Sequence, residues 1–188
     1  VAAERTRERD ILEGTLGCPV CHAEYPIRDG VVWFDDGFQS EAEPAEDPEL
    51  ALRLAAFLDL SDAQGFAILA GRYAPLAELL RGVVPSHLIA LNPSRTVPTG
   101  SGVSALVIST GIPLADATCR GIALDAAHAG AAHLDAAVRA LRPRGRLVTP
   151  ASAPLPDGVA ELARDADLRV AERAAAPPKL VRLQGRGG

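Results

Sequence analysis

The stretch Arg120–Pro150, RGIALDAAHAGAAHLDAAVRALRPRGRLVTP, constrains the fold more than any other part of the chain. It reads as strand, helix, strand. Arg120–Asp125 is a short apolar run ending in an acid, and Ala127, Ala131, Leu134, Val138 and Leu141 then follow helical spacing. Arg139 and Arg142 fall in the last turn, where cations suit the negative end of the macrodipole. Pro143 is expected to stop the helix, Gly145 to allow the reversal, and Leu147-Val148-Thr149 to start a second strand. Two strands joined through a helix are normally parallel, and ligands of such sheets bind beyond the strands' carboxyl ends. The unit predicts an α/β fold and puts Asp125, Ala126 and Thr149 on the edge where chemistry belongs.

A chain of 188 residues has room for one good core and a small appendage. Aromatic residues are only 4%, so that core is built from Ala, Leu and Val. The formal charge of −5 argues against a dedicated nucleic-acid binder, which would carry a basic stripe. No apolar run approaches the length of a membrane span, and VAAERTRERD does not read as a signal peptide. Three cysteines, two of them in one CxxC, do not make a secreted disulfide framework. The expected location is the cytoplasm.

The sharpest local signal is Gly17–Phe34, GCPVCHAEYPIRDGVVWF. Its CPxC turn puts the thiols of Cys18 and Cys21 on one side of a tight loop, half of what a tetrahedral zinc site needs. Tyr25-Pro26 leads into an extended segment, Asp29-Gly30 makes a turn, and Val31–Phe34 forms a strand. Cys18, Cys21, Tyr25, Pro26, Asp29, Gly30 and Val31 together resemble the second knuckle of the zinc ribbon found alone as a small methyltransferase-activating protein. The same module occurs fused ahead of many bacterial methyltransferases. The resemblance implies zinc, but His22 is a poor third ligand beside Cys21. The family's first CxxC would fall at or before residue 1, so the expectation is a further segment upstream that completes the site. Residues 1–37 are read as a partial ribbon. The acid-rich stretch 38–49, with Pro44 and Pro48, is read as a solvated linker.

Residues 50–188 read as one α/β domain. Glu49–Leu60 is expected to be helical. Strands are expected at Phe66–Ala70, His87–Leu91 and Ser104–Ser109, with a helix from Pro75 to Arg81. Beyond Pro150, a helix over Val159–Ala166 and strands over Leu168–Ala174 and Leu180–Leu183 complete the order. Leu114–Ile122 (LADATCRGI) and Leu141–Leu147 (LRPRGRL) resemble two motifs of class I S-adenosylmethionine-dependent methyltransferases, and the element order agrees. The resemblance implies a Rossmann-like, mostly parallel sheet with its last strand antiparallel, carrying a small N-terminal β knuckle. It also implies S-adenosylmethionine as cofactor.

Three departures bear on that cofactor. The family's Gly-rich first turn is here Ala70-Gly71-Arg72-Tyr73-Ala74, with a single glycine. The acid that ends the second strand and takes the ribose hydroxyls is replaced by Asn92. The acid after the third strand is replaced by Ser109 or Thr110. Gly71, Tyr73, Asn92, Ser109 and Thr110 are thus the candidate cofactor residues, and Asp125 the candidate catalytic one. His128 lies close enough to make a dyad with Asp125, though no nucleophile is evident beside them. The leading reading is a methyltransferase-like protein with a degenerate cofactor site, non-catalytic or weakly binding, that acts as a scaffold for a protein partner (a methyltransferase or a translation-related protein). The other is an active methyltransferase.

Overall fold

A computed structural model describes residues 1–8, 10–19, 21–35, 43–100 and 102–175. The order is β1 (Ala2–Arg7), β2 (Asp10–Gly17), β3 (Glu24–Arg28), β4 (Val31–Trp33), α1 (Pro48–Phe57), β5 (Phe66–Ala70), α2 (Leu76–Leu80), β6 (His87–Leu91) and β7 (Val103–Val107). Then follow β8 (Cys119–Ala123), α3 (Ala131–Ala140), β9 (Leu141–Pro150), β10 (Val159–Arg164) and β11 (Leu168–Arg173). All strands join one sheet in the order β1-β2-β3-β4-β7-β6-β5-β8-β9-β11-β10. From β4 across to β9 every pairing is parallel, while β11 runs antiparallel to both β9 and β10. The sheet is Rossmann-like and α/β, as expected.

Apolar runs such as FAILA become strands here because both faces are covered. Ala67 and Leu69 of β5 join Leu54 and Leu58 of α1 and Leu76 of α2 in one core. Ile68 and Ala70 point the other way, into a core with Ile122 and with Leu134 and Ala137 of α3. The chain winds from β5 through β6 to β7 on one side, then returns to lay β8 and β9 on the other. A crevice opens where the winding reverses, above the carboxyl ends of β5 and β8.

The N-terminal hairpin β1–β2 is followed by β3 and β4, and β4 continues the main sheet by pairing with β7, Val32 opposite Leu106. The rings of Tyr25 and Phe34 meet at 4.5 Å between centroids. The end of the acidic stretch is docked: Ala45 is buried and its N–H donates to the Arg72 carbonyl.

Three sequence expectations are corrected. Residues 159–166 are no helix: β10 and β11 form a hairpin. The Asp165 side chain accepts from the N–H groups of Asp167 and Leu168, both at 2.8 Å, and this turn chemistry overrides the short helical pattern. The helix expected from Ala127 is interrupted. A 3₁₀ turn covers Ala126–His128, and α3 starts afresh after an extended Gly130. Finally, β9 begins at Leu141 rather than Leu147. The register against β8 jumps from Leu141 to Arg146, so the intervening residues bulge out of the ladder, with Arg144 at φ 63°. Gly145 is required there by close approach, since a Cβ would lie 2.8 Å from the Arg142 carbonyl oxygen. The strand expected at Leu180–Leu183 lies outside the described residues.

Candidate functional site at the carboxyl edge of the sheet

Strand β5 ends at Ala70 and passes at once into a 3₁₀ turn over Gly71–Tyr73, with Gly71 at φ +58°. Strand β6 ends at Leu91, and Asn92 follows at φ 49°. Asp125 follows β8 and caps the next 3₁₀ turn, its carboxylate accepting from the His128 N–H. Winding therefore brings three strand ends to one place.

There the side chains close on one another. Asp125 Oδ2 accepts from the Arg72 N–H at 2.8 Å and packs so tightly on Gly71 that a Cβ there would lie 2.1 Å from it. Asp125 Oδ1 accepts from His128 Nδ1 at 2.6 Å. His128 Nε2 lies 2.9 Å from Asn92 Nδ2, and Asn92 Oδ1 accepts from the Ile108 N–H at 2.8 Å. The Ile108 amide can only donate, so it assigns the orientation of the Asn92 amide. The Asn92 NH₂ then donates to His128 Nε2, and the imidazole proton sits on Nδ1. Asn92 is 1% exposed, Asp125 2% and His128 3%. Each link of the chain Arg72–Asp125–His128–Asn92–Ile108 pairs a donor with an acceptor.

Of the sequence candidates, Gly71, Asn92 and Asp125 come together in this cluster. Tyr73 is adjacent and buried, and burial pushes its phenol above the ordinary value. Ser109 and Thr110 lie beyond β7 and are exposed. The Asp125–His128 dyad anticipated from spacing forms, and its third member is an amide rather than a nucleophile. Joining Asn92 to His128, 36 residues apart, was not legible in the sequence. Because the helix breaks at Gly130, the ring of His133 sits 5.4 Å from that of His128, edge to face. Cys119 is a buried strand residue, and burial pushes its thiol up to about 12, which leaves it inert.

Cys18 and Cys21 flank a tight turn closed by Cys18 N–H to the Ala23 carbonyl at 2.8 Å. Among the described residues no three His, Cys, Asp or Glu side chains gather as a metal site. No helix among them is long and apolar enough to cross a membrane.

Burial by itself would raise the Asp125 carboxyl, but hydrogen bonds from His128 and from the Arg72 N–H outweigh it and hold the group below its ordinary value. A depressed folded-state value contributes stability that is complete above the unfolded carboxyl value and lost as pH falls through the folded one. Urea unfolding of wild type and Asp125→Asn across pH is the check. Their stability difference is expected to be flat above about pH 5 and to shrink below about pH 4. A difference that holds constant down to pH 3 would contradict this account of the cluster.

Beside the cluster lies a cavity of about 540 Å³, lined by α1, the Arg72–Tyr73 turn, the segment after β9 and the β10–β11 turn.

No family model and no curated protein matches the chain. Solved structures do. The chain is similar to one in a complex between the Haloferax volcanii Trm112 methyltransferase activator and a putative methyltransferase. The two are 12% identical over 67% of this chain and 89% of that one, with a TM-score of 0.53. A methyltransferase dependent on S-adenosylmethionine from Aquifex aeolicus aligns at 14% identity over 68% of this chain and 98% of its own, TM-score 0.41. Geranyl diphosphate C-methyltransferase from Streptomyces coelicolor aligns at 13% identity and TM-score 0.45, over 54% of this chain and 44% of its own. The chain thus spans less than half of that last enzyme. The chain has a methyltransferase-like α/β fold.

Proposed function

We propose that this chain is a methyltransferase-fold binding module whose cofactor cleft is closed by its own side chains. The carrying observation is the Asp125 carboxylate, which lies on Gly71 and accepts the Arg72 N–H. In the fold's usual mode the backbone of that turn approaches the cofactor. The residue at the ribose position, Asn92, has its carbonyl taken by Ile108 N–H and its NH₂ by His128. The residues present do not fit S-adenosylmethionine in that mode.

On this reading the module acts as a scaffold for a protein partner, a methyltransferase or a translation-related protein. The likeness to a chain from an activator–methyltransferase complex supports that choice. Zinc at Cys18 and Cys21 would need two donors from outside the described residues. Cytoplasmic location belongs to the same proposal, since the cysteine usage suits a reducing compartment. A second reading, an active methyltransferase, is favoured by one feature: Gly71 keeps its left-handed conformation at the turn. It would require Asp125 to leave that glycine.

Isothermal titration with S-adenosylmethionine and S-adenosylhomocysteine separates the two. No saturable heat is expected with either ligand up to about 1 mM, a concentration corresponding to roughly −4 kcal/mol of binding. Saturable binding at tens of micromolar, lost in Gly71→Arg, would establish the enzyme reading instead.

A further inference from the structure

A second cavity, of about 550 Å³, lies at the opposite end of the strands from the Asp125 cluster, where β8 and β9 begin and the chain enters β5. Arg120, only 4% exposed, lines it. Its guanidinium donates to Asp62 and, at 2.9 Å, to Asp59, so both of these wall carboxylates are engaged. Arg120 Nε is buried and meets no acceptor among the described residues. The other charged groups of the wall are Arg142, Arg144, Arg146 and Glu172, gathered where residues 142 to 145 bulge out of the ladder with β8. None of these four enters an ion pair among the described residues. Arg142 reaches the Gln64 carbonyl at 3.5 Å, and Arg146 the Ala56 and Phe57 carbonyls at 3.4 and 3.3 Å, all long for hydrogen bonds. Arg144 makes no hydrogen bond among the described residues. Four arginines against three acids leave the wall one positive charge. With Arg120 and its two acids set aside, three cations stand with one anion.

We infer that this cavity binds a single phosphate group, carried by inorganic phosphate or by a small phosphate monoester. Three guanidinium forks offer more donors than the two oxygens of a carboxylate can accept, whereas a phosphate has an oxygen for each. An extended polyanion would run onto Asp59, Asp62 and Glu172, so the wall suits a compact dianion. The site stands apart from the carboxyl-edge cleft and does not depend on whether that cleft is shut.

The test is calorimetry and phosphorus NMR on the full chain in low-salt buffer. The probes are inorganic phosphate, glycerol 3-phosphate, acetate and a short uridine oligonucleotide. Phosphate or glycerol 3-phosphate is expected to bind saturably below about 10 mM, and more weakly as salt is raised. Which of the two binds more tightly distinguishes free phosphate from an ester. Affinity is expected to fall about tenfold in each of Arg144→Gly and Arg142→Gln, the scale of one lost charged hydrogen bond. Arg144→Gly separates binding from folding. Glycine suits φ 63°, so the melting temperature is expected to hold while the affinity falls. No saturable binding by either phosphate probe would overturn the site, as would affinities that both variants leave unchanged. Equal binding of acetate would overturn the phosphate assignment. An oligonucleotide that binds more tightly than both phosphate probes, and weakens in Arg144→Gly, would overturn the compact ligand in favour of a nucleic-acid surface.

Discussion

Gly71→Ala is expected to destabilise the protein by about 3 kcal/mol or more, summing a left-handed conformation imposed on alanine with the displacement of a buried carboxylate. At φ +58° any Cβ is strained, and this one would point at Asp125 Oδ2, 2.1 Å away. The carboxylate cannot simply turn aside, because Oδ1 is held by His128 and both residues are buried. Moving it strips the acceptor from the Arg72 N–H and the partner from His128 together. For a chain of this size the melting temperature should drop by roughly 6 to 12 °C. Thermal unfolding of the two proteins at neutral pH is the measurement. A drop under about 2 °C would mean that Asp125 does not rest on the turn, and the closed cleft would lose its main support.

His128→Leu should cost a similar amount, about 3 kcal/mol, by a different route. Leucine fills much of the imidazole's volume, so no large cavity results. What is lost is the link between Asp125 Oδ1 and Asn92 Nδ2, leaving a carboxylate that is 2% exposed with the backbone N–H groups of Arg72 and residue 128 for support. A double-mutant cycle with Asp125→Ala isolates the interaction. Once the carboxylate is gone, removing the imidazole should cost less, with a coupling of about 1 to 3 kcal/mol. Additive effects would show that the two groups stabilise the fold independently, contrary to the hydrogen-bond geometry.

Much of this architecture was written in local pattern. Phe66–Ala70 and His87–Leu91 were recognisable as strands because runs apolar on both faces belong in a sheet covered on both sides. The Cys18 turn and the Asp29-Gly30 turn follow from residue types that favour such conformations. The Asp125–His128 contact was foreseeable for the same reason: it spans three residues, and an acid ahead of a helical turn caps it. Where local signals competed, reading failed. Val159–Ala166 carries a helix-like composition, but an edge next to β11 offered its backbone a full ladder, and the Asp165 turn directed it there. The break at Gly130 was equally hidden, since Ala127, Ala131, Leu134 and Val138 keep one period through it.

By itself, then, the sequence determined the α/β class, the parallel core of the sheet and the local turns after Cys18 and at Asp29-Gly30. Those are consequences of periodicity, capping and turn chemistry, which act over a few residues. Tertiary structure alone decided that β4 would pair with β7, that Asn92 would meet His128, and that Asp125 would lie on Gly71. Each joins segments tens of residues apart, so it depends on the strand order and on which loops the winding brings to one edge. Three polar residues at three strand ends can make an open site or a closed one. The hydrogen bonds among them form only when β5, β6 and β8 lie side by side.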